Sequence, residues 1–195
     1  YERMAKPFLI DGKITSEHAN QSIPGFTVRM LTTQPSVVGY DENDQPYGEE
    51  YHNIADIGPE NAKWIVRLFQ AAFVLLVAGF AWSQRRDGLW AGAEMAFVLI
   101  GMLLFSERTW KHHGVVLLLP YAVLFGFAAK PNGGIARWVV GAILGIAAVL
   151  TLGSGALPEE AQDVAMTYGA YTAAFVLLAA GTVAVMSRGR SITPN

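Results

Sequence analysis

From residue 59 onward the chain alternates long apolar blocks with short polar breaks, whereas the first 58 residues mix the two kinds. Pro59-Glu60 opens the first block, residues 59–82, and the polar run Gln84-Arg85-Arg86-Asp87-Gly88 closes it. At about 24 residues it suits a tilted crossing of a bilayer. Residues 89–105 form a second block of about 17 residues, at the short limit for a span. A third apolar run, 115–129, reaches spanning length only if His112-His113 belong to the same helix, and Pro120 is placed to kink it. The turn 130–134 leads to a Gly- and Ala-rich fourth block, 138–152. A loop over 154–163 carries Glu159, Glu160 and Asp163, and a fifth block, 164–186, ends at Arg188 and Arg190. The pattern predicts an all-α, polytopic membrane bundle of about five transmembrane helices over 59–190, with a short cytoplasmic tail at 191–195.

Before residue 59 the signals are those of an extramembrane segment. Pro7-Phe8-Leu9-Ile10 followed by Asp11-Gly12 reads as an extended piece ending in a turn. Ser22 before Ile23-Pro24 marks a helix start, because proline in the first turn removes an N–H that has no partner there. Ile23, Phe26, Met30 and Leu31 then recur at helical spacing, predicting a short amphipathic helix. Residues 34–58 are read as a solvated loop with Asp41, Glu42, Asp44, Glu49, Glu50 and Asp56 and no Lys or Arg. Asp41, Asn43 and Gln45 alternate as in a calcium loop. Pro46 and His52, however, stand where that loop needs its glycine and closing glutamate.

Composition supports the membrane assignment. The chain is 52% hydrophobic and 15% charged, against roughly a quarter charged in soluble domains. A net charge of −2 gives no basis for nucleic-acid binding, and the absence of cysteine excludes disulfide and thiolate chemistry. The chain opens on Tyr1 without a signal-peptide pattern and is read as the C-terminal part of a longer protein. Lys and Arg sort the connecting loops by side. Arg85, Arg86, Lys130, Arg137, Arg188 and Arg190 fall on one side, which is therefore cytoplasmic. The 1–58 segment, the 154–163 loop and residues 105–114 share the other.

Residues 105–114 depart from that rule. Ser106-Glu107-Arg108-Thr109-Trp110-Lys111-His112-His113 places Arg108 and Lys111 on the face that ordinarily lacks cations. As a helix start, this stretch would bring Arg108 beside His112, Thr109 beside His113 and Glu107 beside Lys111. Such a cluster suits an anion, above all the phosphate of a lipid-linked group at the membrane surface. Neighbouring helical residues point about 100° apart, so His112 and His113 poorly share one metal ion; no metal or cofactor is expected. Glu94 and Arg67 fall within spans but near helix ends, where snorkelling accounts for them. Asn20-Gln21-Ser22 fits a glycosylation sequon, a weak signal alone.

Two segments carry a family resemblance. Asn20-Gln21-Ser22-Ile23-Pro24-Gly25 with Arg29-Met30-Leu31, and Ser106 through His113 followed by apolar residues and Pro120, resemble the corresponding segments of glycosyltransferase family 87. That family consists of polytopic GT-C-type enzymes and includes mannosyltransferases. The resemblance implies hexosyl, in particular mannosyl, transfer from a polyprenyl-phosphate-linked donor to a lipid or glycan acceptor at the extracytoplasmic face of the plasma membrane, among membrane lipids. It implies a catalytic part for His112 and His113 and a phosphate-binding part for Arg108 and Lys111. Asn20, Gln21, Ser22 and Arg29 would bind substrate, and Trp110 would stack on a sugar or acyl chain. The family's carboxylate base belongs to an early extracytoplasmic loop outside this sequence. A non-catalytic membrane scaffold subunit and a transporter of lipid-linked anions remain the alternative readings.

Overall fold

The computed structural model describes residues 14–41, 45–82, 88–131 and 133–189. Helix α1 (Ile23–Leu31) begins where Ser22 accepts the Gly25 N–H on its side-chain oxygen at 3.1 Å, with proline in the first turn. A hairpin of β1 (Val37–Tyr40) and β2 (Pro46–Glu50) follows. Then come α2 (Pro59–Ala81), α3 (Gly88–Phe105), a 3-10 helix (Lys111–Leu117) running directly into α4 (Leu118–Ala128), and α5 (Gly134–Ala148). A π turn (Val149–Gly153) extends α5, and α6 (Glu159–Thr167) and α7 (Ala170–Gly189) complete the chain. Among the described residues, five helices are long and apolar enough to cross a membrane: Pro59–Ala81, Gly88–Phe105, Lys111–Ala128, Gly134–Gly153 and Ala170–Ser187.

Helices α3, α4, α5 and α7 pack as a bundle, with α3 against α7 at its centre. On α3 the buried positions include Ala93, Ala96, Phe97, Ile100, Leu103 and Leu104, and on α7 they include Ala174, Phe175, Leu178, Thr182 and Val185. Both sets follow the spacing of one helical face. Alanines let the two backbones approach, which matters where surrounding lipid removes most of the hydrophobic driving force between helices. Helix α2 sits outside this bundle. It packs on α1 and α3, sending Phe73 against Phe97 at 4.8 Å and Phe105 at 5.1 Å between ring centroids. Its other face, including Leu68, Phe69, Val74 and Leu75, is exposed.

Hydrogen bonds fix the two ends of the bundle. At one end the Trp90 indole donates to the Met186 carbonyl at 2.9 Å, joining the start of α3 to the end of α7. At the other, Gln21 donates its backbone N–H to Thr109 at 2.8 Å. It accepts from the Thr172 hydroxyl at 2.8 Å on its carbonyl. The amphipathic segment therefore bridges the end of α3 and the start of α7. His18 extends the tie to α6, with Nε2 at 3.2 Å from an Asp163 carboxylate oxygen and Nδ1 at 3.3 Å from the Ser36 carbonyl.

Three expectations change. The acidic segment 34–58 is not all loop. Val37, Val38 and a tyrosine are strand formers, and β1 pairs antiparallel with β2 in the register Val37↔Glu50 and Gly39↔Tyr47. The surrounding polar residues hide so short a hairpin from a periodicity argument. Second, the fifth apolar block is broken: α6 ends before Gly169, whose φ of +77° turns the chain into α7. A Cβ there would sit 2.7 Å from the Phe26 ring, so α1 packs into the space a side chain would take. Third, residues 106–110 are not a helix start; regular structure resumes only at Lys111. The extended piece expected at 7–10, the basic pair Arg85-Arg86 and the 191–195 tail lie outside the described residues.

Candidate functional site

Asn20 and Arg29 build the floor of the site, and both are completely buried. Asn20 Nδ2 donates to the carbonyls of Thr15 at 3.0 Å and Glu107 at 2.9 Å. Its Oδ1 accepts from the Thr109 N–H at 3.0 Å and the Ser22 hydroxyl at 2.9 Å. The side chain thus stands in for a strand partner, holding the non-helical backbone of residues 107–109. Gln21 performs the same service on the other flank. Its Nε2 donates to the Met166 carbonyl at 2.7 Å, and its Oε1 accepts the N–H groups of Tyr171 at 3.2 Å and Thr172 at 3.4 Å. Those N–H groups belong to the first turn of α7, where no intrahelical acceptor exists.

Arg29 joins both flanks. Nε donates to the Thr167 carbonyl at 2.8 Å and Nη2 to Met166 at 3.4 Å, at the end of α6. Nη1 donates to the carbonyls of Ser16 at 3.1 Å, Glu17 at 2.9 Å and Asn20 at 3.1 Å. Burial pulls this guanidinium down to about 10, which leaves it cationic at neutral pH. Its planar fan of donors reaches carbonyls on two separate segments, an arrangement a lysine cannot reproduce.

Asn20, Gln21, Ser22 and Arg29 therefore lie at the same end of the bundle as residues 106–113, but with 0% exposure and their polar groups turned to the protein's own backbone. In this conformation they position the site and do not face a substrate. Sequence reasoning recognised these residue types as polar ligands. It could not see that the surrounding helix ends consume their hydrogen bonds.

The surface above this floor carries the remaining candidates. Trp110 and Lys111 are exposed, as is His112, while Arg108 and His113 are half-buried. The Arg108 guanidinium lies 5.0 Å from the Trp110 ring centroid. The indole lies parallel to the His113 ring, with centroids 6.5 Å apart and 9° between planes, and edge-on to His112 at 5.4 Å. The two imidazoles are 4.3 Å apart at 70°. The helical pairing of Glu107 with Lys111 is not realised, and among the described residues the two form no ion pair. The bend at 106–107, with Ser106 donating to the Arg108 carbonyl at 3.0 Å, redirects the chain before that register can form.

Thr109 is buried and donates its hydroxyl to the Leu103 carbonyl at 2.6 Å, capping the last turn of α3. Below His112 and His113 a pocket of about 330 Å³ opens between α3 and the 3-10 helix. Leu99, Met102, Leu103, Val115 and Val116 make its apolar wall, and Ser106, Thr109, His112 and His113 its polar end. No carboxylate lines it. Among the described residues no three His, Asp, Glu or Cys side chains converge as a metal site. The pocket thus joins an apolar wall to a polar end that carries two hydroxyls and two imidazoles. No family model, characterised protein or solved structure matches the chain.

Proposed function

We infer that residues 106–116 form the phosphate-binding half of a membrane glycosyltransferase that uses a polyprenyl-phosphate-linked sugar. The observation that carries this reading is the pocket itself: an apolar wall that takes in the last two turns of α3 and ends at His112 and His113, the sequence neighbours of Arg108 and Lys111. An isoprenoid chain would lie along Leu99, Met102 and Val115, with its phosphate at the histidine end, within reach of the neighbouring Arg108 and Lys111. The resemblance of both the Asn20-Gln21-Ser22 and Trp110-Lys111-His112-His113 segments to glycosyltransferase family 87 supports the reaction class. The hydrogen bonds of Asn20 to Glu107 and Thr109, which bring two segments so distant in sequence together, support reading them as parts of one site.

In the reaction, the acceptor oxygen bonds to the anomeric carbon while the bond from that carbon to the phosphate oxygen breaks. The lipid phosphate leaves with the electron pair, and the acceptor proton passes to a carboxylate base. Cations and hydrogen-bond donors at the rim stabilise the leaving phosphate as charge develops on it. The pocket lining offers Ser106, Thr109, His112 and His113 as hydrogen-bonding groups and no carboxylate, with Arg108 and Lys111 next to them in sequence, so it is assigned the donor side of the reaction alone.

Binding measurements on the full chain in lipid nanodiscs test this. A polyprenyl monophosphate is expected to bind more tightly than the uncharged polyprenol. Arg108→Ala and Lys111→Ala should each weaken that binding by about tenfold, the equivalent of one charge-assisted hydrogen bond. Equal affinity for phosphate and alcohol, or unchanged binding in both variants, would overturn the reading. Loss of assembly with a protein partner in place of loss of lipid binding would favour the scaffold alternative.

A further inference from the structure

We propose that His113 acts on the bound anion as a neutral hydrogen-bond donor through Nε2, and not as a proton acceptor. The proposal rests on the phosphate-site reading above. Its geometry comes from the turn at Trp110. The Trp110 backbone N–H points at His113 Nδ1, with 3.1 Å between the nitrogens. A backbone amide can only donate, so Nδ1 must accept and carries no proton. A neutral imidazole with Nδ1 bare has its proton on Nε2. An imidazolium would set two N–H groups against each other at that contact.

The tautomer is held from more than one direction. Lys111 begins a 3-10 helix, and this places the side chain three residues after Trp110 back over the Trp110 amide. The indole lies parallel to the imidazole, which restricts rotation of the ring about its own axis. With Nδ1 engaged, Nε2 is the polar atom His113 has left to offer, and the ring lines the pocket. Among the described residues Nε2 has no hydrogen-bond partner. The ring can therefore donate to a non-bridging phosphate oxygen, and its proton stays on Nε2 throughout. This separates the two histidines: His113 is a donor of fixed tautomer, while the exposed His112 is not constrained in this way.

Two measurements decide the matter. Nitrogen-15 NMR of histidine-labelled full chain in nanodiscs, assigned by comparison with His113→Gln, reads which ring nitrogen is protonated without any ligand present. The expected result is a bare Nδ1 and a protonated Nε2, with the Nε2 signal shifting when polyprenyl monophosphate is added. In the second measurement, His113→Ala is expected to weaken binding of that lipid about tenfold. His113→Gln, whose amide nitrogen reaches the Nε2 position, should recover most of it. His113→Asn, whose amide reaches only the Nδ1 position, should resemble alanine. A protonated Nδ1, or a glutamine variant as weak as alanine, overturns the proposal while leaving the phosphate site intact. If the wild type shows no preference for phosphate over polyprenol, the site reading and the proposal fall together.

Discussion

Arg29 shows how a single residue can be chemically conspicuous and yet serve the frame. Its guanidinium ties the Ser16–Asn20 backbone to the end of α6, through carbonyls that have few other partners so far from water. Arg29→Met should remove about 3–5 kcal/mol of stability, because it leaves several buried carbonyls without donors. Arg29→Lys keeps the charge but not the fan, and should cost about 2 kcal/mol. Thermal unfolding in detergent, followed by circular dichroism, checks both; a lysine variant as stable as wild type would contradict the account. Asn20→Asp replaces the donors facing Thr15 and Glu107 with an oxygen, setting acceptor against acceptor in a buried site. It should lower stability by about 3 kcal/mol and weaken lipid-phosphate binding in parallel. The sequence exposed the identity of these residues and their neighbourhood near a helix start. Each also takes a partner from far along the chain, Asn20 from Glu107, 87 positions away, and Arg29 from Thr167, 138 positions away, and no local spacing encodes that.

At the scale of elements, apolar blocks long enough to span were legible because lipid requires continuous helices with satisfied backbones. Ser22 and Pro24 marked the start of α1 for an equally local reason, a terminus that needs an acceptor and tolerates a missing donor. Elements that depend on packing were not legible in this way. Gly169 lies within an apolar run, and only the approach of Phe26 makes its left-handed backbone a break between α6 and α7. Gly169→Ala should therefore destabilise the protein by about 2–3 kcal/mol, through the strained φ and the collision with the ring. Adding Phe26→Ala should recover the collision part but not the backbone part, a partial rescue measurable in the same unfolding experiment. The hairpin at 37–50 escaped for a different reason. Its strands are only four and five residues long and carry no run of alternating apolar positions to count.

For the whole molecule, the central feature is that α1, the end of α3, the start of the 3-10 helix and the start of α7 meet at one end of the bundle. Lys130, at the far end of α4, and the Trp90 to Met186 contact mark the other. The chain contains no cysteine, so single replacements report sidedness cleanly. Lys111→Cys and Lys130→Cys should react with a membrane-impermeant maleimide from opposite sides of a sealed vesicle, and reaction from the same side would contradict the five-span arrangement. The proposed phosphate site lies at the Lys111 end of the Lys111–Ala128 span, where His112 and His113 line the pocket. Photo-crosslinking tests that claim most directly. A polyprenyl monophosphate bearing a diazirine near its phosphate end, bound to the full chain in nanodiscs and mapped by peptide mass spectrometry, should label residues 99–116, with labelling competed by unmodified lipid phosphate and not by polyprenol. Labelling spread over the exposed face of α2, or equal competition by the alcohol, would contradict a phosphate site at Arg108–His113.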